Sequence, residues 1–146
     1  LDVTLLDSLN KRIKFIEEVA KVNELDKINP IHGRAEDVAR NKEYREKFDI
    51  CVSRAVANLT SLSEYCLPFV KVGGYFISYK AGNSEEEIND SKAAIKMLGG
   101  KIERVENFTL ADTDITRTFV FIKKEKQTSA KYPRKAGLPT KEPLKG

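Results

Sequence analysis

The chain has 146 residues, of which 40% are hydrophobic and 33% charged, and its net charge is +4. This length suits a single domain with its own hydrophobic core, and the composition argues against general disorder. No run approaches the ~20 apolar residues of a membrane span, and no signal peptide opens the chain. Cys51 and Cys66 lie in apolar runs without the spacing of metal ligands. We therefore expect a cytoplasmic protein with reduced core cysteines and no metal site.

The charge is unevenly distributed along the sequence. Residues 123–146 contain eight Lys or Arg against two Glu, a net +6, which leaves −2 for residues 1–122. Lys131, Tyr132, Arg134 and Lys135 place an aromatic ring among cations, a combination that suits contact with single-stranded RNA. We therefore expect a polyanionic partner for this tail, the alternative being a solvated, irregular segment.

The first half of the chain alternates predicted strands with helices. A short apolar strand from residue 3 ends at Asp7, and Ser8 is predicted to cap a helix whose inward positions include Leu9 and Ile13. Residues 27–31 suggest a second strand, which Pro30 restricts to an edge or an early end. Residues 37–47 suit a short exposed helix. Residues 48–53 form the strongest predicted strand, apolar enough to be covered on both faces.

The second half of the chain continues this alternation but ends in two strands joined by a short loop. A helix is predicted from about residue 59, with Ser61 and Glu64 as a capping box and Pro68 near its end. A strand at 75–79 precedes a helix opened by Ser84 and Glu87 and stopped by Gly99. Residues 102–108 and 118–122 should form an antiparallel hairpin. We predict an α/β fold with a mostly parallel sheet over residues 1–124, followed by a basic tail at 125–146.

Polar residues follow two predicted strands in the region 31–54. Arg34, Ala35 and Glu36 come after one strand, and Ser53 and Arg54 end the other. Ligands of open α/β sheets bind beyond the carboxyl ends of the strands. This edge is therefore the predicted ligand site. His32, the only histidine, has no evident nucleophile or acidic partner nearby in sequence, so we assign it a structural role.

Several segments in order along nearly the whole chain resemble one enzyme family. They are VTLLDSLNKRIKFIEEV, HGRAED, SRAVANL, EYCLPFVKVGGYFISYKAG, AIKMLGGKI, the strand with Arg117, and KYPRKAGLPTKEPL. Together they resemble the RsmG (GidB) family of small-subunit ribosomal RNA guanine-N7 methyltransferases. The resemblance implies a Rossmann-like class I methyltransferase fold, S-adenosyl-L-methionine as cofactor, and 16S ribosomal RNA or a small-subunit precursor as partner, without a membrane or an obligatory protein partner.

The resemblance also implies site residues. Asp7 would bind the cofactor ribose, Ala35 and Glu36 would flank the adenine, and Arg54 would lie in the cofactor cleft. Lys80 and Arg117 would meet RNA phosphate or the guanine. No catalytic base is expected, because guanine N7 carries an in-plane lone pair and no proton.

One part of the family pattern has no counterpart in these residues. The family's glycine-rich loop and the strand before it are absent, and we expect that strand to lie between the strands ending at Asp7 and Ser53. We therefore expect the 146 residues alone to be inactive and poorly folded or associated. A non-catalytic RNA-binding methyltransferase-like fragment is the alternative function. Half of a nucleotide-binding oxidoreductase is a third, which the terminal hairpin and basic tail do not suit.

Overall fold

The computed structural model describes residues 1–54 and 57–146, which form six strands, five α-helices and one short 3₁₀ helix. The strands are β1 (Val3–Asp7), β2 (Ile28–His32), β3 (Phe48–Arg54), β4 (Val70–Ala81), β5 (Gly100–Thr109) and β6 (Thr116–Lys124). The helices are α1 (Asn10–Val22), α2 (Ala35–Val38), α3 (Leu59–Cys66), α4 (Glu85–Met97) and α5 (Leu138–Lys141), with the 3₁₀ helix at Leu67–Phe69.

The strands form two separate sheets. β1 and β2 pair in parallel, with Asp7 opposite His32 at the carboxyl end. The second sheet has the order β3-β4-β6-β5, in which β3 and β4 are parallel and β6 is antiparallel to both of its neighbours. Within the described residues, β1 pairs only with β2, and β3 pairs only with β4. The α/β class, the strand alternation and the terminal hairpin agree with the prediction.

The core lies on one face of the four-stranded sheet. Side chains alternate between the two faces of a strand, and every second residue is buried along β6 and along β4 from Gly74 onward. The apolar ones among them pack with α3 and α4. Phe76, Val120 and Ile122 from the sheet meet Leu59 from α3 and Ile95 from α4. The opposite face is only partly covered. β3, predicted to be covered on both faces, exposes 56% of Ile50 and of Val52, which corrects that prediction.

The predicted helix starts are wrong in their capping residues. Ser8 does not cap α1, because the Asp7 carboxylate accepts from the Leu9 N–H at 2.8 Å instead, and Leu9 is exposed. At α3 the cap is Asn58, whose side chain accepts from the Thr60 N–H. Ser61 and Glu64 are both buried within that helix, where they contact the C-terminal residues.

The other predicted helix boundaries agree with the structure only in part. Ser84 precedes α4, but its hydroxyl donates to the Ala81 carbonyl rather than capping the helix. The predicted helix at 37–47 is only the single turn of α2, followed by turns. The ends of α3 near Pro68 and of α4 before Gly99 agree with the prediction, and Gly99 has the positive φ of 90° that favours glycine there.

Residues 125–146, here called the C-terminal segment, are largely irregular, as their composition predicted, but they pack on the domain. Thr128 and Tyr132 are buried, and the Thr128 hydroxyl donates to the Leu98 carbonyl at 2.6 Å. The Ser61 hydroxyl donates to the Pro139 carbonyl at 2.8 Å. The segment is therefore a structural part of the domain rather than a solvated extension.

Candidate cofactor site and the C-terminal segment

The carboxyl end of β1 presents an acidic side chain. Asp7 keeps about a quarter of its side-chain surface exposed, and Arg12 Nη1 lies 3.4 Å from its Oδ2. Its Oδ1 is fixed by the Leu9 N–H of the following turn. Because the carboxylate is held in place and still partly accessible, it can accept further hydrogen bonds from a ligand with paired hydroxyl groups.

The end of β2 lies beside Asp7 and leads into the short helix α2. The Gly33 N–H donates to the Asp7 carbonyl at 3.0 Å, and His32 Nε2 lies 3.1 Å from the Ser8 carbonyl oxygen. These contacts join the two strand ends, so His32 has a structural partner as predicted. Ala35 begins α2 and has only a methyl group as its side chain.

Glu36, the second predicted residue of this pair, directs its side chain away from the strand ends. It is buried, and its Oε1 accepts from the Gly137 N–H of the C-terminal segment at 2.9 Å. A contribution of Glu36 to a ligand would therefore come from its backbone, while its carboxylate ties α2 to the C-terminal segment.

Arg54 and Lys80 end neighbouring strands but differ in environment. Arg54 is exposed at the end of β3, and residues 55 and 56, which continue the SRAVANL motif, lie outside the described residues. Lys80 is buried, and its Nζ lies 2.7 Å from both Glu87 Oε1 and the Ala57 carbonyl oxygen. Glu87 Oε1 also accepts from the Leu59 N–H at 2.6 Å. Lys80 and Glu87 thus hold Ala57 and the start of α3 in place.

Some of the predicted RNA-binding side chains are exposed, whereas others are already bonded or buried within the domain. Lys131 and Lys135 are exposed, and Lys131 Nζ lies 5.2 Å from the centre of the Tyr132 ring. Arg117 is half-buried, with Nη1 donating to the adjacent Thr116 carbonyl at 3.0 Å. Tyr132 is buried in the main core, so its ring is not free to stack on a base.

Arg134 forms an ion pair with a buried carboxylate. Its guanidinium donates to both oxygens of Glu64, with 2.8 Å from Nη2 to Oε2, and its backbone N–H donates to Oε1. Glu64 is fully buried, and the hydrogen bond to Glu64 raises the pKa of Arg134. Arg134 therefore balances a buried charge, which competes with its predicted role in binding RNA.

Arg45 binds the backbone of the C-terminal segment, a role that the sequence does not indicate. Its guanidinium donates to the carbonyls of Ala39, Tyr132, Thr128 and Ser129 at 2.8 to 3.3 Å, and Arg40 donates to the Pro133 carbonyl. Backbone carbonyls have no signature in the side-chain sequence, so no local pattern could have revealed these contacts. They anchor the first half of the C-terminal segment.

Buried groups elsewhere in the domain have shifted pKa values. Burial lowers the pKa of Lys124 to about 8, although Glu46 Oε2 lies 3.7 Å from its Nζ, which donates to the Leu67 and Val70 carbonyls. A hydrogen bond with Cys51, together with burial, raises the pKa of the Cys66 thiol. Lys124 ends β6, whereas Cys51 lies within β3 and Cys66 ends α3.

Two surface depressions lie apart from the predicted cofactor residues. A depression of about 550 Å³ lies between Val72, Lys101 and Lys123, and another of about 470 Å³ lies beside Arg134 and Pro143. Neither includes Asp7, Ala35, Glu36 or Arg54. Across residues 1–54 and 57–146, no three His, Cys, Asp or Glu side chains converge as metal ligands, and no helix has the length and hydrophobicity to cross a bilayer.

The chain is similar to named proteins in sequence. It is 54% identical over 144 residues to the ribosomal RNA small subunit methyltransferase G of Clostridium tetani, covering 99% of this chain and 60% of that protein. The corresponding protein of Alkaliphilus oremlandii is 55% identical over 145 residues, covering 99% of this chain and 61% of that protein. The chain thus spans about three fifths of the length of these relatives.

A structural superposition and a family sequence pattern point to the same kind of protein as these relatives. An rRNA methylase from Streptococcus thermophilus superposes with a TM-score of 0.61 at 12% identity, covering 86% of this chain and 74% of that one. This likeness confirms the predicted Rossmann-like class I methyltransferase fold. The sequence pattern of the family described as rRNA small subunit methyltransferase G (GidB) matches residues 1–116. The chain belongs to this rRNA small subunit methyltransferase G family.

Proposed function

We propose that the protein containing this chain transfers a methyl group from S-adenosyl-L-methionine to N7 of a guanine in 16S ribosomal RNA. The observation that carries this proposal is family membership over residues 1–116, the region that also contains the ends of β1, β2 and β3. The substrate would be 16S RNA itself or a precursor of the small ribosomal subunit.

The residues present fit the ribose and adenine half of such a cofactor. Asp7 would offer its fixed, partly exposed carboxylate to the ribose hydroxyls, and the small side chain of Ala35 would let the adenine lie beside the backbone of Glu36. Arg54 stands at the end of β3, where it would flank the cofactor from the other strand. The cofactor supplies an electrophilic methyl group on a sulfonium.

The methyl transfer requires little of the protein beyond alignment of the guanine with the methyl group. Guanine N7 is an in-plane acceptor without a proton, so no side chain has to remove one before the methyl group is transferred. The contribution of the chain would then be to align the guanine and to tolerate charge moving onto the purine. Arginine often donates hydrogen bonds to guanine O6 and N7 together. Here N7 must remain free, so a contact from Arg117 should fall on O6 or phosphate. Lys80 would have to leave Glu87 and the Ala57 carbonyl to make such a contact.

The C-terminal segment would contribute to RNA affinity through its exposed lysines. Lys131 and Lys135 are accessible, whereas Arg134 and Tyr132 are engaged in the domain. Each cation that neutralises a phosphate releases counterions, so it steepens the salt dependence of binding. Removal of the whole segment would also remove the partners of Glu64 and Arg45, so substitution of single lysines is the better test.

The test of the catalytic proposal is Arg54→Ala in the complete gene product that contains this chain. We expect loss of most methyl transfer to 16S RNA in a tritiated-methyl assay, with RNA binding retained, because Arg54 would lie at the cofactor edge. Arg54→Lys tests the need for a guanidinium, and Lys47→Ala, a substitution of another exposed cation, is the matched control. Undiminished turnover of Arg54→Ala would contradict the assignment.

A second assay separates the enzyme from the alternative of a non-catalytic RNA-binding fragment. The 146-residue chain contains only the ribose and adenine half of the proposed site, so we expect it to show no methyl transfer and no tight binding of S-adenosylmethionine. If the complete gene product also lacked transfer while still binding RNA, the non-catalytic alternative would replace the proposed activity. Micromolar cofactor binding by the 146 residues alone would refute the expectation for this chain.

A further inference from the structure

The helix on the adenine side of the proposed cofactor site needs support from the rest of the domain. α2 has only four residues, Ala35–Val38, and no side chain caps its first turn. Helices this short gain little from their own hydrogen bonds, so their stability comes from tertiary contacts. The positions of the Ala35 methyl group and of the Glu36 backbone therefore depend on the groups to which α2 is bonded.

The C-terminal segment is bonded to the first turn of α2. The Glu36 side chain is buried, and its Oε1 accepts from the Gly137 N–H at 2.9 Å. Gly137 directly precedes α5 and has a φ of 83°, a conformation that favours glycine. A buried carboxylate that loses its donor is costly, so this bond fixes α2 against the C-terminal segment.

The C-terminal segment is also bonded to the other end of α2. Ala39, which follows α2 and is fully buried, accepts from Arg45 Nη1 at 3.3 Å through its carbonyl oxygen. The same nitrogen donates to the Tyr132 carbonyl at 2.8 Å, and Arg40 donates to the Pro133 carbonyl. Both ends of α2 are therefore tied to the C-terminal segment.

The C-terminal segment is in turn fixed to α3. Arg134 is paired with Glu64 at 2.8 Å, and the Ser61 hydroxyl donates to the Pro139 carbonyl at 2.8 Å. α2 follows the sheet of β1 and β2, whereas α3 packs on the four-stranded sheet. The C-terminal segment thus joins the two parts of the domain that present the proposed cofactor residues.

We propose that the C-terminal segment positions α2 for S-adenosyl-L-methionine, with Glu36 and Arg45 as the positioning residues. Residues 125–146 would then set the affinity for the cofactor in addition to contacting RNA, an inference that rests on the proposed function. The Glu36 carboxylate acts through the Gly137 N–H and does not itself touch the cofactor. Groups that bind a ligand must be held to within about 0.5 Å of their productive positions, which a single unsupported helical turn does not achieve.

Calorimetric binding of S-adenosyl-L-methionine to the complete gene product tests this proposal. Glu36→Ala and Arg45→Met should each weaken binding about tenfold, because each variant loses hydrogen bonds made by a charged group. Glu36→Gln keeps an acceptor for the Gly137 N–H and should retain most of the affinity. The matched controls are Asp37→Ala and Lys42→Met, which change exposed charges nearby and should bind like the unmodified protein.

Steady-state kinetics separate a positioning role from a purely structural one. In a tritiated-methyl assay well below the unfolding midpoint, Glu36→Ala and Arg45→Met should raise the KM for S-adenosyl-L-methionine about tenfold. The kcat should stay within about twofold, because weaker binding of the ground state and the transition state alike changes KM alone. A residue that only stabilises the fold would lower the urea midpoint and leave this KM unchanged.

The outcomes separate this inference from its rivals. Weaker cofactor binding by Glu36→Ala but not by Arg45→Met would overturn it, because Glu36 would then contact the cofactor directly. Unchanged binding by both variants would overturn it as well and leave the C-terminal segment a structural role. If Glu36→Ala does not fold, Arg45→Met alone decides. Failure of the unmodified gene product to bind S-adenosyl-L-methionine would instead refute the proposed function, and this inference with it.

Discussion

The C-terminal segment and the strand-end edge contain similar kinds of charged residues but use them differently. In the C-terminal segment, Arg134 is paired with the buried Glu64, and the backbone carbonyls are held by Arg45. At the strand ends, Asp7 and Arg54 remain accessible. The comparison teaches that burial of the partner, rather than the density of charges in the sequence, separates a cation that stabilises the fold from one that is available to a ligand.

The strongest test of this difference is removal of the guanidinium that balances the buried Glu64. Arg134→Met keeps much of the aliphatic stem but leaves the Glu64 carboxylate buried without its cation. Breaking a buried ion pair by changing one partner costs about 3 kcal/mol or more. We expect a loss of that size in the free energy of unfolding, measured by urea denaturation. Lys135→Gln, the neighbouring exposed cation, is the control. If the two variants lose the same stability, the ion pair has no special structural role.

A smaller decrease in the free energy of unfolding is expected when the guanidinium group of Arg45 is removed. Arg45→Met keeps much of the aliphatic stem but deprives the Thr128, Ser129 and Tyr132 carbonyls of their partner. Leaving these acceptors, two of them partly buried, without a hydrogen bond should cost about 2 kcal/mol. Hydrogen exchange should rise first at residues 125–135, and Lys42→Met, an exposed substitution nearby, should not change it. Unchanged exchange in the segment would mean that Arg45 does not anchor it.

Lys124 should make stability depend on pH. Its pKa of about 8 lies below its ordinary value of 10.5 because it is buried. Between these values the unfolded chain holds a proton that the native chain lacks, so the unfolding free energy should rise with pH by up to about 1.4 kcal/mol per pH unit. Below pH 8 this lysine adds no slope. The comparison is with Lys124→Met, which should remove this rise, and equal slopes for both proteins would contradict the assignment.

The smallest effect on stability is expected at the accessible lysines. Lys131→Gln combined with Lys135→Gln should change the unfolding free energy by less than about 0.5 kcal/mol, as exposed substitutions usually do. The same change in the complete gene product should weaken binding of 16S RNA and flatten its salt dependence. Lys126→Gln with Lys145→Gln is a charge-matched control elsewhere in the segment. An unaltered salt slope for the first pair alone would argue against RNA contact there.

Much of the fold could be predicted because local patterns and tertiary packing agree. The β-branched run ending at Asp7, the helical spacing after it and the glycines after α4 each favour one local structure. The capping residues were wrong because Glu64 and Glu87, which fit a local capping pattern, are used over long sequence distances instead. The exposure of Ile50 and Val52 could not be predicted, because an apolar strand looks the same whether one or both of its faces are covered.

The candidate site was predictable in position but less so in detail. Strand ends could be located from the sequence, and the family resemblance named Asp7, Ala35, Glu36 and Arg54, whose cofactor role stays a prediction. That the Glu36 carboxylate turns to the Gly137 N–H could not be predicted, because the two residues are 101 positions apart and one partner is backbone. The ion pair of Arg134 with Glu64 and the burial of Tyr132 in the core could not be predicted either, because both depend on residues far apart in sequence.

The ion pair between Glu64 and Arg134 also has a consequence for biosynthesis. Arg134 is synthesised 70 residues after Glu64, and Gly137, which satisfies Glu36, follows later still. During translation the nascent domain therefore has a carboxylate in α3 whose native partner does not yet exist. Translation that stops before residue 134 would yield a chain unable to complete its core, and such a product would be a substrate for cellular proteases.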